Sequence, residues 1–422
     1  MADRWGDAGR HGTGGQHLFS PTPGWLVTGV VVWLAAMAHQ RTCETRVAGQ
    51  NVNALLRLCY SDLPITFQNQ LAAGHSPYAG TSPVDQPPLV ALVMVVLREV
   101  VGLVHPVGAG VTGQQALDGA NLFTMVAAVL FGGCFLVVLF AQLAIRGRLA
   151  PGRRASGWVL AALCLTAFTV GIVNWQLLAA ALLMGSLWSW HTRRWISSGL
   201  LAGLAVSASG HLLALIPVLA VLCLRDLDWS RLLRTAGVAS LVTVVVNLPA
   251  VLLWPSGWTT WVTSQLLPPV GLGGLWQELL PDGPVQVVVA RVLVALTVLG
   301  IVAVLLLTLL GHLTPRPEQL LLVTLGLTFI LAPGYSPQLA LLLVPLVALS
   351  RPAGWTAVLA ASEALYWAAV FAFLNGSLRF GERGGETPYA LAVVVRLTVL
   401  LVVTLSVLAE TWTARPERGL AP

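Results

Sequence analysis

The chain has 422 residues, of which 56% are hydrophobic and only 9% charged. Soluble globular domains carry about 25% charged residues, so that class is excluded. A β-barrel is excluded as well: the apolar runs are continuous and do not alternate, and in lipid a backbone run of this kind satisfies its hydrogen bonds only as a helix.

The positive charge comes entirely from Arg, since the chain has no Lys, and it outweighs the acidic residues by +6. Any phosphate held in a site must therefore meet Arg, His or backbone amides. The Arg residues sit in loops beside apolar runs, as the positive-inside rule expects, so no nucleic-acid partner is expected.

In chain order, residues 1–23 carry Arg4, Arg10 and the Gly-rich "HGTGG" and are expected to be a disordered cytoplasmic N-terminus. The apolar run that follows has no clean cleavage site after it and reads as an uncleaved signal anchor. Candidate spans are 24–40, 87–105, 119–145, 157–173, 174–190, 196–224, 235–253, 285–310, 318–332, 337–350, 354–374 and 388–409. The expected fold class is all-α, a polytopic transmembrane helix bundle of about twelve spans. It forms one domain over 24–410, with interfacial helices in a first external loop (41–86) and a cytoplasmic tail over 411–422.

The clusters "RGRLAPGRR" (146–154), "HTRR" (191–194) and "RDLDWSRLLR" (225–234), with Arg351 and the tail, read as cytoplasmic. The loops 41–86, 254–284, 333–336 and 375–388 then fall outside. The parity does not close. Two candidate spans separate the first external loop from the first Arg cluster, and two Arg clusters flank the single run 196–224. Either some segments are re-entrant or some Arg clusters face out; Gly210 and Pro217 can break a helix within 196–224.

Cys134, Cys164 and Cys223 fall in apolar runs as small core residues. Cys43 and Cys59 share one polar loop, where they either pair or stay free. Most of the 16 Trp residues read as interface anchors.

Few groups could carry chemistry. Asp62 lies in "LLRLCYSDLPITF", expected at the end of a short interfacial helix just before Pro64. It is either a solvated carboxylate or cap, or a base that takes a proton from an acceptor hydroxyl at the membrane surface. Asp85 precedes "QPPL", and Asn174 sits in "GIVNWQLLAAAL", expected to be a tight turn in which Asn caps a helix. His211 lies in the apolar "SASGHLLALIP", as packing or as a ligand. Tyr335, Ser336 and Gln338 stand in the turn "APGYSPQLA", where they can donate to a phosphate or sugar. Glu363 and Arg396 are charges inside apolar spans, either a structural pair or, for Arg396, a phosphate contact. No Walker loop, dinucleotide fingerprint, metal-ligand cluster or nucleophile–base pair is present in the sequence.

The order "CYSDLP", "GHSPY", "DQPPL", "NWQLLA", "SGHLLALIP", "YSPQLALLLVPL", "SEALYWAAVF" resembles the actinobacterial branch of glycosyltransferase family 87. These are membrane-embedded enzymes of the GT-C type, related to polyprenyl-phosphate-mannose-dependent α-mannosyltransferases of the cell envelope. The resemblance runs from about residue 55 to the last span. It implies a multi-pass cell-membrane enzyme with an extracytoplasmic site and Asp62 as general base. It implies inverting transfer of mannose from a polyprenyl-phosphate donor to a glycolipid or glycan acceptor, with no cofactor and no metal. Tyr60, Ser61, Asp85, Asn174, His211, Tyr335, Ser336, Gln338 and Arg396 become the donor- and acceptor-binding candidates. Three places depart from the family: Asn174-Trp175-Gln176 where relatives read Asn-Trp-Asp, Asp85-Gln86-Pro87 where they read Glu-Tyr-Pro, and His211 where Lys is common. The alternatives are a non-catalytic envelope scaffold and a flippase for lipid-linked sugars.

Overall fold

The computed structural model describes residues 23–50, 52–79, 84–149, 156–279, 283–378 and 386–413. Residues 1–22 of the expected disordered N-terminus and nearly all of the tail lie outside these residues, as do parts of the loops 41–86, 254–284 and 375–388; Pro23, expected to be disordered, opens the first helix. Regular structure among the described residues is entirely helical.

Helix α1 (Pro23–Gln40) leads into a long loop that holds α2 (Asp62–Thr66) and α3 (Pro88–Gly102). There follow α4 (Gly113–Leu149), α5 (Gly157–Val170), α6 (Gln176–His191), α7 (Trp195–Ala208), α8 (Leu215–Arg225), α9 (Trp229–Leu232) and α10 (Val238–Leu253). A second long loop holds α11 (Pro255–Leu266) and α12 (Leu275–Leu279). The chain closes with α13 (Pro284–Leu309), α14 (Pro317–Leu331), α15 (Ala340–Ser350), α16 (Ala353–Leu374) and α17 (Glu386–Thr413). Five helical stretches are long and apolar enough to cross a membrane, and five shorter apolar helices accompany them. At 1.5 Å per residue, the 37 residues of α4 outrun a hydrocarbon core of about 30 Å. Its first turns stand clear and hold the loop after α1: Gln114 Nε2 donates to the Arg46 carbonyl and Asn121 Nδ2 to that of Thr45.

The Arg clusters converge on one end of the bundle. Arg148 Nη1 donates to the His191 carbonyl, and His191 Nε2 lies 3.0 Å from the buried carboxylate of Glu318, which also pairs with Arg316. Arg146 donates to the Ala348 carbonyl, and Arg351 pairs with Glu410.

The single run 196–224 is two antiparallel helices. After Ala208 the chain extends at Ser209 and makes one tight 3₁₀ turn over Gly210–Ala214 before α8 starts. The break is at Ser209; Pro217 lies inside the first turn of α8, where its missing N–H costs nothing. Arg231, just past the end of α8, sits over the rings of Trp190 and Trp195, at the end of α6 and the start of α7. Gly199 and Gly203 let α7 approach the carbonyls of Thr235 and Ala239 closely. Both Arg clusters that flank the run therefore lie at the same end, and the Ser209 turn lies at the other.

The second parity conflict is resolved by α3. This helix of 15 residues rests on outer segments at both ends. Ala91 packs with Tyr78, Ala250 and Trp261, while Arg98 donates to the His75 carbonyl and Val101 lies against Gly119 near the start of α4. The candidate span 87–105 thus stays at the outer end, and the run 196–224 supplies two passes in place of one.

Candidate functional site

The site is built at the end away from the Arg clusters. The segment before Asp62 is tied to the end of α1: Gln40 Nε2 donates to the Cys59 carbonyl at 2.9 Å, and Cys43 and Cys59 form a disulfide. Leu58 takes a left-handed conformation, φ +57°, which closes a turn over residues 54–59 and redirects the chain inward. Ser61 Oγ donates to the Ile172 carbonyl at 2.7 Å and accepts from the Leu63 amide; the Asp62 amide donates to the Val173 carbonyl at 2.9 Å. The tip between α5 and α6 thereby grips Ser61 and Asp62.

Asp62 begins a helix; the sequence placed it at the end of one. Ser61 is the N-cap, and Pro64 fits the first turn because its N–H is not needed there. Burial pushes the Asp62 carboxyl above the ordinary carboxylate range, and a hydrogen bond from the Tyr60 side chain opposes part of that rise. The Tyr60 hydroxyl is itself pushed up, first by burial and then by the Asp62 charge.

The second part of the site is the turn before α15. Tyr335 is fully buried and its hydroxyl donates to Glu363 Oε1 at 2.7 Å. Arg396, also fully buried, pairs with Glu363 Oε2 at 3.0 Å and donates to the carbonyls of Tyr335 (2.7 Å) and Ser336 (3.4 Å). Its guanidinium lies between the rings of Tyr335 and Tyr366, 3.4 and 3.8 Å from their centroids. Of the two options for this charge, the ion pair with Glu363 is present. Ser336 and Gln338 are half-buried, and their side chains make no hydrogen bond to any described residue.

The remaining candidates connect to these two parts. Asn174 follows Val173 at the α5–α6 tip, where its Oδ1 accepts from the Gln176 amide. Tyr60 meets Phe371 edge to face, and Phe371 shares an apolar cluster with Tyr366, which covers Arg396. His211 meets Phe329 edge-on, and Phe329 stacks on Tyr335 with centroids 5.1 Å apart. Asp85 is exposed and accepts from Ser264 Oγ at 2.7 Å. The next residue, Gln265, lies against Gly210 beside His211, so the last turn of α11 links Asp85 to His211.

Sequence reasoning did not single out Phe329, Tyr366, Tyr389, Ser264 or Gln265. It also missed Gly273 (φ +80°), whose amide donates to the Tyr389 hydroxyl while the Leu272 carbonyl accepts from the Tyr335 amide. The paired glycines in "VGLGGLW" were the available signal. Among the described residues no three His, Cys, Asp or Glu side chains come together as a metal site.

No family model matches the chain, and no curated protein does. Among solved structures the chain is similar to ArnT from Cupriavidus metallidurans bound to undecaprenyl phosphate. That match has 15% identity and a TM-score of 0.45, and covers 94% of this chain and 79% of that one. The apo state of ArnT is matched at 17% identity and a TM-score of 0.37, with the same coverage. Likenesses this distant assign neither a family nor an activity.

Proposed function

We propose that the chain is an integral-membrane glycosyltransferase of the GT-C type that takes a sugar from a polyprenyl-phosphate carrier and passes it to an extracytoplasmic acceptor. Asp62 is the general base. It takes the proton of the acceptor hydroxyl as that oxygen bonds to the anomeric carbon. The bond from that carbon to the carrier phosphate breaks on the opposite face, so the configuration inverts and the polyprenyl phosphate leaves with the electron pair. The carrying observation is the Asp62 carboxyl, gripped through its backbone at the α5–α6 tip and held by burial above the usual carboxylate range. A base with a raised pKa is better matched to proton transfer near neutral pH than a free Asp.

The side chains of Ser336 and Gln338 make no hydrogen bond to any described residue and suit the donor phosphate or sugar. Tyr60 orients the base, Ser61 fixes its backbone, and Asn174, His211 and Asp85 line the approach. Two independent features support an extracytoplasmic site: a disulfide three residues before Asp62, which belongs in an oxidising compartment, and the Arg clusters at the far end. Mannose as the sugar and family 87 as the lineage rest on the order of motifs in the sequence.

The test is transfer from a panel of polyprenyl-phosphate sugars by the purified chain. Wild type should transfer one of them, and Asp62→Asn should lose about 10²–10⁴-fold in kcat. A scaffold or a flippase would tolerate that change, and equal rates for the two proteins would remove the proposal.

A further inference from the structure

We propose that Glu363 and Arg396 form a positioning clamp for the Tyr335–Gln338 turn, so that the turn, and not the guanidinium, meets the donor phosphate. This rests on the transferase reading above. The two charges come from different helices, α16 and α17, and neither faces solvent: Arg396 is fully buried and Glu363 is 4% exposed. A buried pair of this kind is weak evidence for stability, because taking both charges out of water costs about as much as their attraction returns. Its use is then better sought in what it fixes.

What it fixes is one turn. The three guanidinium nitrogens of Arg396 are all engaged within the protein: Nε by Glu363 Oε1, Nη1 by the Tyr335 carbonyl, and Nη2 by Glu363 Oε2 and the Ser336 carbonyl. Both faces of the guanidinium are covered by Tyr335 and Tyr366. Glu363 in turn accepts from the Tyr335 hydroxyl, so residue 335 is held by its ring, its hydroxyl and its carbonyl. From the other side the Gly-rich strap 271–274 lies backbone to backbone on the same turn. The Gly271 amide donates to the Pro333 carbonyl and the Tyr335 amide to that of Leu272. A turn held on both sides presents Ser336 and Gln338 at a fixed place, and small displacements of positioned groups are costly in transfer reactions.

The experiment uses full-length protein in detergent and reads binding of undecaprenyl phosphate, donor and acceptor KM, kcat and thermal unfolding. The variants are Glu363→Gln, Arg396→Lys, their double mutant, and Tyr335→Phe, which removes only a hydroxyl and keeps the ring. Glu363→Gln and Arg396→Lys should each weaken binding of the probe about tenfold and raise donor KM to match, with acceptor KM unchanged. The double mutant should be no worse than either single, because both act through one turn. Tyr335→Phe should show the same donor-selective change in a smaller amount; if both charge variants fail to fold, this variant alone decides. Weakened binding in Arg396→Lys with normal binding in Glu363→Gln would mean direct phosphate contact and overturn the clamp. Lowered melting with unchanged binding and KM in every folded variant would overturn it too, leaving a purely structural pair. A wild type that binds the probe but transfers no sugar would instead count against the transferase reading.

Discussion

The amide of Asp62 donates to the carbonyl of Val173 at 2.9 Å, joining the segment after α1 to the tip between α5 and α6. The residue before each makes a parallel contact, Ser61 Oγ to the Ile172 carbonyl. The carboxyl is thus placed by main-chain bonds between distant segments, which hold it more firmly than its own five-residue helix could.

Tyr60→Phe should move the acid limb of the kcat/KM profile to higher pH. The Tyr60 hydrogen bond favours the charged carboxylate, and its removal leaves burial unopposed. A pH–rate profile of the two proteins checks this; superimposable acid limbs would show that the hydroxyl does not act on Asp62.

Asp62→Asn should lose most of its transfer activity and yet melt no lower than wild type. Burial raises the folded-state pKa of this carboxyl, so the folded protein holds its proton more tightly than the unfolded chain. That stabilisation is fully present below the unfolded pKa and is lost as pH rises through the folded one. At neutral pH the charge is a net cost that the neutral amide avoids, and the difference in melting temperature should favour Asp62→Asn more at pH 8 than at pH 5.

Gly273→Ala should destabilise the outer end. Residue 273 has φ +80°, and an added Cβ would collide with the Tyr335 carbonyl oxygen and stand 2.6 Å from the Tyr366 hydroxyl. A loss of about 1–3 kcal/mol is expected from the backbone conformation alone. Thermal unfolding together with donor KM would register it, and a neutral result would mean that the strap is free to lift away.

Arg193→Cys and Leu227→Cys should behave alike toward a membrane-impermeant thiol reagent added from outside, and neither should react. Both positions lie at the Arg-rich end, one before α7 and one after α8. Ser256→Cys, at the start of α11, should react. Labelling of one of the first two but not the other in intact cells would refute the α7–α8 hairpin, and labelling of both would reverse its orientation.

Serine in place of Cys43 and Cys59 should cost about 2–4 kcal/mol of stability. Reductant should lower the melting temperature of wild type to about that of the serine variant. The other three cysteines are buried, so they should not confuse the measurement. Wild type that melts identically with and without reductant would show that the bond is unformed in solution.

Legibility differed sharply between elements. The apolar runs around α4, α13, α16 and α17 were plain, because a stretch that must satisfy its own hydrogen bonds in lipid declares itself by length and composition. The runs over α3 and over α7–α8 misled for one reason: hydropathy reports that a segment is apolar and not which way it travels. The extended Ser209 that reverses the chain is an ordinary serine in sequence. The side of Asp62 on which its helix would lie was also misread, since Ser61 and Pro64 fit the start of a helix better than its end.

The sequence by itself determined that the chain is a helical membrane protein with its Arg residues in loops, because composition and run length alone decide what lipid will accept. It also picked out Asp62 and the Tyr335–Gln338 turn, since polar groups are rare enough in such a chain to stand out. Only the tertiary structure decided that Arg396 is taken up by Glu363 and two carbonyls, that Gln265 lies beside Gly210, and that two Arg clusters share one end. Those are relations between segments far apart in the chain, set by packing, and no local pattern of residues encodes them.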